Sequence, residues 1–367
     1  MTASRIRRSV TEDLRAALPA WIVARVLVAI AYGVARLWRA HSHPGELTIQ
    51  LHQGLFAWDG AFYRDIATKG YGALPEAALR FFPLYPLAGR GLGWVLGGNE
   101  GLALLVIANV GALVAAALLH RLVLVDLADR RTAVFSASLL ALAPPAFVLV
   151  WAYAEALYLV CAIGMFLALR RRSWWWAALA GALAGLTRPF GVVLAVPAAI
   201  EALKGWRRAT SRDRVARAAA IVAPVVGLAT FLLWIGNLDP IHQQGELRGQ
   251  WLDPVRGLGR AIGDLFGSQR FLDGLHAPFA FALVVLVVLC IRWLPPSYAA
   301  YAAIVVLSAL SATNLNSLER YGLNAFPVVI AMAMLARRWR IERPTLIVSS
   351  VLMVAMCSAA WLGRYVP

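Results

Sequence analysis

The sequence predicts an all-α, polytopic transmembrane helical bundle, and three observations carry that reading. Of its 367 residues, 61% are hydrophobic and the mean hydropathy is +0.69, whereas a soluble domain is about half apolar. Long apolar stretches recur from end to end, with no polar globular block between them, so residues 1–367 read as a single membrane domain. Hydrocarbon offers the backbone no hydrogen-bond partner, so apolar runs of this length form helices rather than strands.

Eleven helices fit the hydropathy, near 19–38, 101–120, 132–150, 153–169, 174–187, 189–203, 216–236, 276–292, 297–311, 322–336 and 344–362. Several are short for a hydrocarbon core of about 30 Å. The pair around Thr187 to Phe190 also reads as one broken hairpin. Basic residues set the orientation. With the N-terminus in the cytoplasm beside Arg5, Arg7, Arg8 and Arg15, the turns on that side carry most of the arginines: Arg121, Arg130 and Arg131; Arg170 to Arg172; the stretch Lys204 to Arg217; and Arg337 to Arg343. The opposite side has longer loops with fewer positives, and the chain ends there at Pro367.

The net charge of +16 therefore reads as a topology signal and a contact with anionic membrane lipids, not as a nucleic-acid surface. Cys161, Cys290 and Cys357 lie inside apolar segments without CxxC spacing and read as packing residues. No Asn-x-Ser/Thr sequon is present, and the Ala- and Arg-rich usage points to a bacterial plasma membrane. The first apolar run contains Arg25 and Arg36 and reads as a retained helix rather than a signal peptide. Trp174 to Trp176, after an arginine cluster, read as an interface anchor.

Three outer segments, 39–100, 237–275 and 311–321, are too long for plain connectors and are rich in aromatics, Gly and Pro with a few carboxylates. They are expected to form the active-site side. In 46–67, Leu55, Trp58, Phe62 and Ile66 recur at helical spacing, predicting an amphipathic helix lying in the interface. Asp59 sits beside that stripe. Asp65 lies roughly 240° further round, so the two carboxylates do not share a face. Phe81-Phe82-Pro83-Leu84-Tyr85-Pro86 follows, with prolines that break a helix and aromatics suited to headgroup level. An aromatic belt with a solvated aspartate accounts for this pattern, and so does a site: a carboxylate at membrane level is costly to place.

The run Trp58-Asp59 to Gly70-Tyr71, followed by FFPLYP at 81–86, resembles the PIG-V family. That family contains the second mannosyltransferase of GPI-anchor assembly and its bacterial relatives, polytopic glycosyltransferases of the GT-C class. Tyr153-Ala154-Glu155-Ala156-Leu157-Tyr158 is similar to its Y-S-E motif, with Ala154 where the family has Ser. Thr187-Arg188-Pro189-Phe190-Gly191 and Arg320-Tyr321 with Phe326-Pro327 resemble two later segments. The likeness runs through the whole chain in order.

The resemblance implies inverting transfer of mannose from a polyprenyl-phosphate-mannose donor to a glycolipid, glycan or protein acceptor outside the cytoplasm. It implies Asp59 as the general base that takes the acceptor's proton. Arg320 and Arg188, at outer helix ends, are candidate clamps for the donor phosphate. Interface snorkelling, or pairing of Arg320 with Glu319, is the bland alternative. Glu155, in an apolar run, is a candidate substrate-binding group or a partner for Arg188. Trp58, Tyr85, Tyr321 and the pair Gln250-Trp251 complete the substrate-binding candidates, while Arg64, Asp65 and Lys69 are expected to hold the loop together. His41, His43 and His52 lack a ligand spacing, and no metal or other cofactor is expected. Two rival readings are transfer of another sugar on the same fold, and a lipid or solute transporter, although no internal repeat of the transporter kind is evident.

Overall fold

Helices run wherever the apolar stretches do in the computed structural model, which describes residues 10–236, 254–266, 276–312 and 315–367. Among these residues no strand occurs. In chain order the helices are α1 (Val10–Ser42), α2 (Ile49–Gln53), α3 (Asp59–Lys69), α4 (Leu84–Val95), α5 (Glu100–Leu127) and α6 (Arg130–Leu142). Then come α7 (Glu155–Arg170), α8 (Trp174–Thr187), α9 (Ala195–Leu203), α10 (Ser211–Ile235) and α11 (Pro254–Phe266). The last five are α12 (His276–Trp293), α13 (Pro296–Leu310), α14 (Leu318–Asn324), α15 (Pro327–Arg338) and α16 (Glu342–Trp361).

Each of the eleven expected stretches contains a helix, but not each is long enough to cross a bilayer as one piece. Five, α1, α5, α10, α12 and α16, have the length and hydropathy of spans. Prolines account for several of the short ones. The expected helix 132–150 stops at Leu142 because Pro144 and Pro145 force a 3-10 turn, Pro144–Leu149. The expected helix 322–336 is interrupted at Ala325–Phe326 and restarts at Pro327, where a missing N–H costs nothing. α8 ends in the same way before Pro189, with Arg188 extended at φ −155°, ψ 150°.

The helices pack through small residues, as helices in lipid do. Gly185 of α8 and Gly227 of α10 sit so close to the opposite backbone that a Cβ on either would overlap a carbonyl oxygen, Pro224 or Ala182. One face of α1 is a run of buried alanines: Ala17, Ala20, Ala24, Ala31 and Ala35.

The first outer loop corrects one expectation. Residues 46–67 are not one amphipathic helix. α2 ends at Gln53, a 3-10 turn covers Gly54–Phe56, and α3 begins only at Asp59. Leu55 and Trp58 thus precede the helix on which Phe62 and Ile66 lie. Two left-handed residues, Gly54 (φ 58°) and Trp58 (φ 58°), make the break.

Alternation of helix direction gathers the arginine-rich turns at one end of the bundle. There Arg121 Nε donates to Asp13 Oδ2 at 2.7 Å, Arg170 Nε to Asp126 Oδ1 at 2.7 Å and Arg337 Nη1 to Asp129 Oδ1 at 3.0 Å. The other end holds the first outer loop and the starts or ends of α7, α8, α14 and α16 that meet it.

Candidate active site

Asp59 opens α3 immediately after a strained residue. Trp58 has φ 58° and ψ −121°, a conformation that side chains other than glycine avoid. Its surroundings enforce it. Trp58 Nε1 donates to Ala360 O of α16 at 3.0 Å, and the Asp59 N–H donates to the Tyr153 hydroxyl at 3.3 Å. Ala152 N donates back to Leu55 O at 2.9 Å. The elbow is thereby pinned on both flanks, and the Asp59 side chain is turned into a cavity.

Three more charged groups meet it there. Glu155 begins α7 and is fully buried. Arg188 caps α8 just before Pro189. Arg320 lies in the short α14, entered through Ser317, another left-handed residue (φ 67°). Arg320 Nη1 is 2.5 Å from Asp59 Oδ2 and 3.4 Å from Glu155 Oε1. Arg188 Nη1 donates to the same Glu155 Oε1. Arg320 Nη2 donates to Ser317 Oγ at 3.3 Å. Tyr321 lies under both guanidinium groups, with ring centroids 5.6 Å from Arg188 and 5.8 Å from Arg320. Burial works against the charge of Arg320, but Asp59 and Glu155 outweigh it and hold its pKa well above the usual value. Arg188 is raised in the same way, Glu155 overcoming the burial. Both arginines therefore stay cationic. Burial likewise raises the Tyr63 phenol, which remains a neutral donor or acceptor.

The cavity has a volume of about 180 Å³ and is lined by Asp59, Tyr63, Arg80, Arg188, Ser317, Arg320 and Tyr321, with Phe81 and Phe82 on its aromatic side. Two polar atoms beside it, Glu155 Oε2 and Arg320 Nε, are buried with no partner among the described residues. A native interior seldom leaves such atoms unmatched, and here two of them belong to charged groups beside one cavity.

The structure sorts the sequence-predicted residues. Asp59, Arg188, Arg320, Glu155 and Tyr321, drawn from stretches up to 261 positions apart, come together. Glu155 pairs with Arg188, one of the two roles considered for it. Arg320 does not pair with Glu319, which instead takes His276 (2.8 Å) and Tyr365 (2.9 Å). Trp58 scaffolds the elbow and is not among the cavity's lining residues. Tyr85 is also a correction. It is fully buried, donates to Leu104 O at 2.9 Å and stands edge-on to Tyr63 at 5.0 Å, so its side chain packs in the core and not in the cavity wall. Pro83 and Pro86 start α4 there and point Tyr85 at α5 rather than at the cavity. Gln250 and Trp251 lie outside the described residues. Asp65 pairs with Lys69 at 3.5 Å across one helical turn of α3. Among the described residues no group of three His, Cys, Asp or Glu side chains is placed to hold a metal ion.

Sequence reasoning missed Tyr63, Arg80 and Ser317. Tyr63 had a signal, since it stands four residues after Asp59 and so on the same face of α3. Arg80 stacks on Phe62 and Phe81, with centroids at 5.0 and 4.9 Å, which a sequence does not display.

Comparison with known proteins adds a family to this geometry. The family model described as mannosyltransferase (PIG-V) matches residues 39–233, more than half of the chain. A helical bundle with membrane-length apolar helices and this match falls in the class of membrane glycosyltransferase families. Within that class, the chain belongs to the PIG-V mannosyltransferase family. Among solved structures it is similar to the oligosaccharyltransferase of Archaeoglobus fulgidus in complex with zinc and sulfate, at 13% identity and a TM-score of 0.45. That match covers 90% of this chain and 53% of the other. It is also similar to the archaeal oligosaccharyltransferase AglB from the same organism, in complex with an inhibitory peptide and a dolichol-phosphate. There the identity is 13% and the TM-score 0.45, over 93% of this chain and 56% of the other. The chain thus spans about half the length of these structures. Comparison with curated proteins gives no match.

Proposed function

We propose that this protein transfers mannose from polyprenyl-phosphate-mannose to an acceptor hydroxyl on the extracytoplasmic face of the plasma membrane, with inversion. The supporting observation is one carboxylate, Asp59, facing two guanidinium groups, Arg188 and Arg320, around one cavity. The acceptor oxygen attacks the anomeric carbon as Asp59 takes its proton. The bond from that carbon to the phosphate oxygen breaks, and polyprenyl phosphate leaves with one more negative charge. Two fixed guanidiniums are suited to that charge, since they meet phosphate oxygens in charge-assisted, bidentate hydrogen bonds. A lipid-borne donor keeps its headgroup at the membrane surface, the level expected of the first outer loop. The arginine-rich turns, at the opposite end of the bundle, support a cytoplasmic face there. The acceptor class stays as broad as the sequence reading left it: glycolipid, glycan or protein.

The test is turnover of purified protein with synthetic polyprenyl-phosphate-mannose and a membrane lipid extract, followed by mass spectrometry. Release of polyprenyl phosphate with a mannosylated product is the expected result. No product from this donor, with product from another polyprenyl-phosphate sugar, would change the sugar and keep the site. No turnover of any such lipid would favour the transporter reading.

A further inference from the structure

The proposed transfer assigns Arg320 to the donor phosphate and Asp59 to the acceptor proton, yet these two groups are bonded to each other at 2.5 Å. An anion that bonds Arg320 Nη1 from the cavity side meets Asp59 Oδ2 already there. The partners of Arg320 are unequal. Glu155 is fully buried at the start of α7, and its Oε1 reaches Arg188 as well as Arg320 Nη1 at 3.4 Å. Ser317 Oγ holds Nη2 at 3.3 Å. The Asp59 side chain, by contrast, is 26% exposed and forms part of the cavity wall. One partner can leave while the others stay.

We propose that the donor phosphate takes the place of Asp59 on Arg320, while Glu155 acts as the positioning residue that keeps Arg320 and Arg188 aimed at it. This rests on the reading of the chain as a polyprenyl-phosphate-mannose transferase. Exchanging a carboxylate for a singly charged phosphodiester leaves the charge facing the guanidinium unchanged, and the displaced Asp59 carboxylate, already 26% exposed, keeps its charge at the cavity wall where solvent reaches it. Asp59 is then free to meet the acceptor hydroxyl, and the donor binds before the acceptor can react. Charge balances through the step: Asp59 gains a proton and becomes neutral as the leaving phosphate gains a negative charge.

Binding of a short-chain polyprenyl-phosphate-mannose to the full-length protein in nanodiscs tests this without turnover. Asp59→Asn no longer competes for Arg320, so it should bind the donor about fivefold more tightly than wild type, the worth of a partly exposed ion pair, while turning over far more slowly. Glu155→Gln should bind it several-fold more weakly, with donor KM raised more than kcat is lowered. Both changes remove one negative charge, so a general electrostatic effect would shift both in the same direction. Tighter binding by both variants, or equal or weaker binding by Asp59→Asn, overturns the exchange. A lower melting temperature in Glu155→Gln with an unchanged donor Kd would leave Glu155 structural and overturn its positioning role. If Glu155→Gln does not fold, Asp65→Asn, a carboxylate paired with Lys69 on the same loop, is the charge control and should bind like wild type. Absence of donor binding to wild type overturns the function reading and the exchange with it, whereas binding by wild type without the Asp59→Asn gain overturns the exchange alone.

Discussion

Both ends of the bundle bury carboxylates against arginines, and the two sets differ in how completely they are matched. At the arginine-rich end, Asp13 gives one oxygen to His120 Nδ1 at 2.7 Å and the other to Arg121. Asp126 divides its oxygens between Arg170 and the Tyr298 hydroxyl, and Glu201 meets Lys204 and Ser297. Each acid there has both oxygens engaged. At the other end, one nitrogen of Arg320 serves two carboxylates, and Glu155 Oε2 and Arg320 Nε have no partner among the described residues. The matched set locks helices together. The mismatched set surrounds a cavity and can accept an anion. His120 Nε2, at the arginine-rich end, also has no partner among the described residues, so what separates site from scaffold is unmatched charge that borders a cavity, not buried charge or an orphan atom alone.

The comparison can be broken by substitution, beginning with the base. Asp59→Asn should lower kcat by about 10²- to 10⁴-fold, the usual worth of a general base, with little change in the melting temperature. A variant that keeps wild-type turnover would move the base elsewhere. Glu155→Ala should be the most damaging change to stability at the site end. It strands the buried Arg188 guanidinium and leaves Arg320 with Asp59 and Ser317 alone, and removing one partner of a buried pair costs about 3–5 kcal/mol. Thermal unfolding in detergent would report it. Asp13→Asn, at the matched end, should destabilise by roughly 1–3 kcal/mol by leaving Arg121 underbonded, while the folded fraction keeps its kcat. Loss of kcat in the folded fraction would show that the two ends are coupled. Tyr85→Phe should be the mildest, costing about 1 kcal/mol for the hydrogen bond to Leu104 O and leaving the donor KM unchanged.

Helix positions were legible because hydropathy is a local signal, and proline accounts for the breaks near residues 144, 189 and 327. Asp59, Glu155, Arg188 and Arg320 were legible as candidates because charge beside apolar sequence is costly to place. What they do to one another was less so. The rivalry of Asp59 and Glu155 for Arg320 depends on the sharing of one guanidinium nitrogen between residues 59, 155 and 320, and no local pattern encodes it. Tyr85 misled for a related reason. Its motif places it beside the site in sequence, but the proline-initiated turn of α4 sends its ring into the core. The stripe through Leu55 and Trp58 imitated a helix, and only the backbone shows that positive φ at residues 54 and 58 divides it.

The last helix, α16, is also the clamp of the first outer loop. Thr48 Oγ1 donates to Trp361 O at 2.5 Å, Trp361 Nε1 to Gly54 O at 2.9 Å and Trp58 Nε1 to Ala360 O, across 302 positions of chain. On a ribosome, Asp59 is made early, and the backbone strain of about 1–3 kcal/mol at Trp58 is held only from the Ala152 and Tyr153 side until α16 has been inserted. A nascent or truncated chain lacking α16 would carry every charged residue of the cavity and still hold its aspartate from one flank only, so the full elbow arrives with α16 and not with the residues that line the cavity.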